Sequence, residues 1–361
     1  MKETPLRAIH EAHKARMVEF CGWNMPVQYG SILDEVVCVR HKAGLFDLSH
    51  MGRVRVHGRE AEAFLQKVAT CDVAKIPAGS IRYGLLLNDQ GITQDDILVY
   101  RDPDGVSFFV VVNAGNCDRD LAILRSNAKA FAVTVDDQTD ALAMIAIQGP
   151  RSEAITQKLT DIPLKPLGYY KWSHGTVCGT RCSLSRTGYT GEDGFEVYFP
   201  AREAPRFWNA FLEAGAADGL RPIGLAARDT LRLEAGMALY GHEIHEQTNP
   251  LEAGLDWAVK FTKDFIGRKA LETIQAKGLT RRLVGLTTES KRVPRQGYPV
   301  VHQGKTVGVV CSGTSSPTLG CNIATAYVPT ALAAPGTMVE FQIKDKCEPA
   351  KVVALPFYKR A

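Results

Sequence analysis

The stretch Gly91-Ile92-Thr93-Gln94-Asp95-Asp96-Ile97-Leu98-Val99-Tyr100 sets two adjacent carboxylates at the head of an apolar, β-prone run. Asp is depleted in strands and costly to bury without a partner, so the pair either closes a turn or takes part in chemistry. A strand repeats every two residues, which points Asp96, Leu98 and Tyr100 one way and Asp95, Ile97 and Val99 the other. On that reading the two acids are not a dyad sharing one proton. Upstream, Tyr83 to Asn88 and the turn Asp89-Gln90-Gly91 complete a hairpin with this strand. Downstream, the turn Asp102-Pro103-Asp104-Gly105 leads to Phe108–Val112, and Asn113 follows with an amide able both to donate and to accept.

The pattern extends on both sides of the hairpin. Arg53 to Gly58 alternates as a half-exposed strand, and Ala61, Phe64, Leu65 and Val68 repeat at helical spacing. A second helix carries Cys117, Leu121, Leu124 and Ala128 on one face, before a strand from Phe131 to Val135. The order β-α-β-β-β-α-β over residues 53–140 predicts an α+β unit with a largely antiparallel sheet. Residues 1–52 supply a helix from Leu6 to Ala15, a turn around Trp23 and a helix from Ser31 to Ala43. Leu33, Val36, Val37 and Val39 of that second helix are expected to face inward. Leu45 to Gly52 reads as a strand, and its His50 as a structural hydrogen-bonding residue.

From residue 141 a second α+β pattern begins. Its strands are Ala141 to Ile147, Tyr169-Tyr170, Thr176 to Ser185 and the run ending Phe195-Glu196-Val197-Tyr198, where Glu196 again puts a carboxylate in an apolar strand. Gly188, Gly191 and Gly194 lie between two strands rather than between strand and helix, so they read as a hairpin turn and not as a dinucleotide loop. A helix from Pro205 turns Trp208, Phe211 and Leu212 inward. The next, Arg221 to Met237, carries Arg228 and Arg232 one turn apart on one face. After a connector helix through Leu271 and Ile274, six short alternating runs between 283 and 355 predict an all-β barrel or sandwich.

Composition bounds the function. A formal charge of +4 over 361 residues, without a Lys/Arg block, argues against nucleic acid as a main partner. Nine scattered cysteines argue for reduced thiols in a cytoplasmic setting. With Thr176 to Ser185 as a single strand, Cys178 and Cys182 would lie roughly 13 Å apart, out of reach of a disulfide or a shared metal. His242-Glu243-Ile244-His245 is one residue short of a zincin helix motif, and no metal site is expected. The polar N-terminus and the lack of a long apolar span argue against secretion and membrane insertion.

The chain resembles the aminomethyltransferase, or T-protein, family of the glycine cleavage system almost end to end. The matching blocks include Gly22 to Val27, Gly44 to Gly52, Asp95 to Tyr100, Ser185 to Glu196, Pro222 to Glu234, Ser316 to Gly320 and Pro356 to Tyr358. The resemblance implies two intertwined α+β folate-binding subdomains, residues 1–52 with 141–264 and residues 53–140, plus a connector helix and C-terminal β-barrel over 265–361. These form a ring around tetrahydrofolate. It further implies transfer of the aminomethyl group from the dihydrolipoyl arm of the H-protein, giving 5,10-methylenetetrahydrofolate and ammonia. Asp96 corresponds to the catalytic residue. Glu196 would bind the pterin, Arg228 would belong to the same ligand site, and Tyr83, Met51, Tyr100, Asn113, Tyr169 and Lys359 would line it.

Two departures from the family pattern stand out: Gln94 before the acidic pair, and Lys359 where relatives have Arg, whose bidentate contact Lys does not reproduce. Within the superfamily the alternative activity is a folate-dependent demethylase of a sulfonium or ether. The alternative outside catalysis is a folate-binding protein, whose Lys-Gly-Cys-Tyr-x-Gly-Gln-Glu motif is absent from Thr248 to Glu252. Asp96→Asn is expected to abolish turnover, and Asp95→Asn to be milder.

Overall fold

The computed structural model describes residues 1–360. The strand Thr93–Arg101 pairs with Ser80–Leu87 and Phe108–Val112, and the five-stranded antiparallel sheet is completed by Gly52–His57 and Thr134–Asp137. Its period of two divides the side chains between two cores. Ile97 and Val99, with Val54, Phe108 and Val110, pack on Phe64, Leu65, Leu121 and Leu124 of helices Ala61–Val68 and Cys117–Ala128. Leu98, Tyr100, Phe109 and Val111 face the opposite way, onto a second sheet.

That second sheet runs in the order Trp172–Val177, Thr180–Ser185, Gly194–Pro200, Leu142–Gln148, Gly44–Asp47, Arg221–Pro222. Phe46, Met144, Ala146 and Tyr198 on its near face meet the first sheet. Leu45, Ile145, Ile147 and Val197 on its far face meet Phe207, Trp208 and Phe211 of helix Ala204–Gly215. The body is therefore helices, sheet, sheet, helices, with residues of alternating parity committed to different layers.

Between this body and the barrel lies helix Leu225–Glu234. It packs on strand Trp23–Gln28, on helix Ile32–His41 and on barrel strands Lys305–Ser316 and Cys321–Pro329. The barrel closes in the order Arg281–Thr288, Cys321–Pro329, Lys305–Ser316, Pro299–His302, Met338–Ile343, Lys346–Val353. Closure leaves no exposed sheet edge.

Several expectations are corrected. In helix Ile32–His41, Val36 and Val39 are buried but Leu33 and Val37 are exposed; the inward positions beside them are Cys38, Arg40 and Glu35. Glu35, in the first turn of this helix, is buried and accepts from the backbone N–H groups of Tyr29, Gly30 and Gly224. Trp23 lies on a strand of a small three-stranded sheet rather than in a turn. Tyr169 and Tyr170 precede the strand Trp172–Val177, and Thr176 to Ser185 is broken by a turn at Cys178-Gly179, both with φ above zero. The two cysteines thus belong to a hairpin and not to one strand. All nine cysteines are free thiols. None of the helices among the described residues is long and apolar enough to cross a membrane.

Candidate active site

The hairpin turn is built on Asn88, whose Oδ1 accepts from the backbone N–H groups of Gln90 and Ile92, 3.0 Å each. Gly91 takes φ +75° against Leu271, a conformation and a space that a side chain would strain. The register then slips by one: Leu86 opposes Asp95 and Leu87 opposes Thr93, which leaves Gln94 as the extra residue of a bulge. The bulge carbonyl of Gln94 accepts from Arg119, which also pairs with Glu246.

Beyond the bulge the two acids part, as their parity dictates. Asp95 is buried under helix Cys117–Ala128, while Asp96 is half-buried on the face turned to the second sheet. Tyr83 donates its hydroxyl to Asp96 Oδ2 at 3.0 Å. The Asn113 side-chain amide donates to Asp96 Oδ1 at 2.7 Å and to Asp95 Oδ1 at 2.9 Å, while its backbone N–H donates to Asp95 Oδ2 at 3.0 Å. The acids are therefore separate in direction yet bridged by one amide. Burial and the charge of Asp95 push the Asp96 carboxyl up to about 7, against the opposing hydrogen bonds of Tyr83 and Asn113.

Glu196 comes from the second sheet, on the same face as Tyr198. Its Oε2 accepts from Thr187 at 2.6 Å and Tyr198 at 3.3 Å, whereas its Oε1 has no hydrogen-bond partner among the described residues. Burial raises its pKa, and Arg228 draws it back down. The Arg228 guanidinium lies over the Tyr189 ring at 4.5 Å and likewise has no hydrogen-bond partner among the described residues. Burial, then the neighbouring Tyr169 and the charges of Glu196 and Asp96, raise the pKa of Tyr170.

Arg232, one turn on from Arg228, does different work. Fully buried, it pairs with Glu243 at 2.8 Å and donates to Ser312 of the barrel at 2.8 Å. Another buried Arg, Arg40, ties Glu192, Glu234 and the ring of Tyr358 together.

The other residues expected at the site divide in the same way. Met51 is half-buried against the core between the two sheets, the one that holds Tyr100. Tyr100 is fully buried and bonds the Tyr198 hydroxyl at 2.7 Å, so it stands behind Glu196 rather than lining an open surface. Tyr169 is half exposed and packs on Tyr170. Lys359 is exposed, and Arg360 instead lies over the Tyr169 ring at 5.7 Å, 3.5 Å from Asp193. His50 is buried with both ring nitrogens unpartnered, so it is not the hydrogen-bonding residue expected; burial and then Arg228 press its pKa down to about 3.

Trp257 was missed in the sequence. It is 56% exposed and stacked on Tyr83 at 5.1 Å, so a large aromatic face stands beside the Asp96 hydrogen bond. Only its position in a short 3-10 turn, out of any hydrophobic period, marked it. A cleft of about 480 Å³ between Tyr240–Gln247 and the barrel includes none of these residues.

Residues 6–263 match the family model described as the GCVT N-terminal domain, and residues 281–359 match the glycine cleavage T-protein C-terminal barrel domain. The chain belongs to the glycine cleavage T-protein family. It is similar to curated aminomethyltransferases of Moorella thermoacetica, at 48% identity over all of this chain and 98% of the relative, and of Streptomyces avermitilis, at 49% over 99% and 98%. The crystal structure of glycine cleavage system aminomethyltransferase T from Bartonella henselae superposes with a TM-score of 0.94 at 35% identity, covering 99% of this chain and 98% of that one. As a T-protein family member the chain is an enzyme, an aminomethyltransferase with tetrahydrofolate as co-substrate. The site fits that co-substrate. A carboxylate oxygen and a guanidinium, both half or more withdrawn from water and both unpartnered, match a ligand that carries N–H donors and anionic groups.

Proposed function

We propose that Asp96 is the catalytic base of aminomethyl transfer between the lipoyl arm of an H-protein and tetrahydrofolate. The observation that carries this is the carboxyl poised near neutrality between Tyr83 and Asn113. A base works best with a pKa near the working pH, and this one can both take up a proton and offset developing positive charge. Tetrahydrofolate supplies the two nitrogens, N5 and N10, between which the one-carbon unit is carried. Asp96 holds those nitrogens and accepts the proton released as the ring closes. Glu196 accepts from the pterin N–H edge through its open Oε1, and Tyr100 and Tyr198 keep that carboxylate in place. Arg228 faces the same ligand, Trp257 and Tyr83 offer it an aromatic wall, and Met51, Asn113 and Tyr169 complete the lining. Arg360, not Lys359, supplies the C-terminal cation.

The same reading divides the chain into residues 1–52 with 141–264, residues 53–140, and 265–361. Three of the five hydrophobic clusters among the described residues keep their buried members within one of these parts each, which supports it. Nine free thiols support a cytoplasmic setting. The test is an assay with aminomethyl-loaded H-protein and tetrahydrofolate, reading ammonia and methylenetetrahydrofolate, with a dimethylsulfonium compound as the control donor. Turnover with the H-protein and none with the sulfonium is expected. The reverse pattern, or full turnover by Asp96→Asn, overturns the assignment.

A further inference from the structure

Directly behind the site, on the helix side of the first sheet, lies a third acid. Asp120 belongs to helix Cys117–Ala128, is 0% exposed, and receives no hydrogen bond at either carboxyl oxygen. Asp120 lies one helical turn beyond Asn116, whose amide donates to Asp95, and this sets its carboxyl beside Asp95. Asp95 already accepts from the Asn113 backbone N–H, the Asn113 amide and the Asn116 amide at 2.6 Å. Two carboxylates in contact in a buried space cannot both ionise, and the proton settles on the one with fewer donors. All three donors aim at Asp95 and none at Asp120. Arg119, the adjacent cation, is turned to the Gln94 carbonyl, Glu246 and the Tyr240 ring.

We propose that Asp120 is a permanently protonated positioning residue, which donates its O–H to Asp95 and through Asp95 and Asn113 fixes the orientation of Asp96. The proposal rests on Asp96 being the catalytic base. The chain of contacts is Asp120 to Asp95, Asp95 to the Asn113 amide, and the Asn113 amide to Asp96. Each link is directional. With Asp95 held as an acceptor by the Asp120 proton, Asn113 must turn its NH₂ and not its oxygen toward both acids. One negative charge, not two, then sits behind Asp96. Burial and the facing Asp95 push the Asp120 carboxyl up to about 11, with Cys117 adding to the rise and Arg119 opposing it. A carboxylic acid so placed stays neutral across the working pH range.

The amide of Asn is a near-isosteric neutral donor, whereas Leu keeps the volume and loses the donor. Asp120→Asn is therefore expected to keep kcat within about threefold of wild type with an unmoved acid limb, and Asp120→Leu to lose about tenfold or more in kcat at an unchanged folate KM. Carboxyl ¹³C NMR of the full-length wild type should show one aspartic acid still protonated at pH 9, and that resonance should be missing from Asp120→Asn. The proposal is overturned if no such resonance exists, if Asp120→Asn is as damaged as Asp120→Leu, or if Asp120→Leu turns over like wild type. The NMR arm reads the proton whether or not Asp96 does the chemistry. A protonated Asp120 beside a fully active Asp96→Asn would sink the catalytic reading alone.

Discussion

Asp96→Asn should make the protein both inactive and, at alkaline pH, more stable. In the folded chain burial and the neighbouring Asp95 hold the Asp96 carboxyl near 7, against an ordinary value of 3.8. Ionising it in place then costs about 4 kcal/mol relative to the unfolded chain, at 1.36 kcal/mol per pH unit. Water reaches the half-buried side chain, so about 1–3 kcal/mol is the effect expected in solution. The folded pKa is raised, so the contribution is favourable below about pH 4 and is lost as pH climbs to about 7. Asn cannot ionise and should escape that loss. Its oxygen can take the Asn113 N–H, and the Tyr83 hydroxyl can turn from donor to acceptor, so both hydrogen bonds survive the exchange. Urea unfolding of variant and wild type should therefore diverge, with the gap wider at pH 8.5 than at pH 5. Turnover should fall by about 10²- to 10⁴-fold, the usual worth of a general base. A gap that is constant or narrows with pH would refute the perturbed carboxyl, whatever happened to activity.

Tyr83→Phe removes a donor that lowers the Asp96 pKa, so the acid limb of kcat/KM should move up by about one pH unit, read from a pH–rate profile. Arg360→Ala should weaken folate binding about three- to tenfold by calorimetry while Lys359→Ala leaves it unchanged, because only Arg360 lies over the Tyr169 ring. Arg232→Met should cost about 3–5 kcal/mol in urea unfolding, since it strands the buried Glu243 carboxylate.

Strand parity was legible because the first sheet is covered on both faces. Ile97 and Val99 must meet the helices, Leu98 and Tyr100 the second sheet, and no other phase buries both sets. The element order over 53–140 and the six barrel strands followed from the same alternation, although the last strand, expected from Lys351, begins at Lys346. What stayed hidden depends on long-range partners. Nothing local distinguishes Arg228 from Arg232, and only the placement of Glu243 and Ser312 makes one structural and leaves the other open. Glu35 and Arg40 stayed hidden on their helix for the same reason: Glu35 accepts from Gly224, and Arg40 pairs with Glu192 and Glu234, each more than 150 residues away. Trp257 gave no periodic signal at all.

The acidic pair shows where a correct local reading stops short. Parity rightly sent Asp95 and Asp96 to opposite faces and excluded a shared proton between them. It did not foresee that Asn113, at the end of the neighbouring strand, reaches both across the sheet edge. That bridge changes what Asp95→Asn should do. The sequence alone made the substitution mild, since Asp95 points away from substrate. Yet three N–H groups and the Asp120 carboxyl converge on its oxygens, and an amide there would face donor to donor. The expected result is about 2–4 kcal/mol of lost stability, with Asn113 freed to turn its oxygen toward Asp96. Asp95 is thus turned to the helix side of the sheet and still tied to Asp96 through the Asn113 amide.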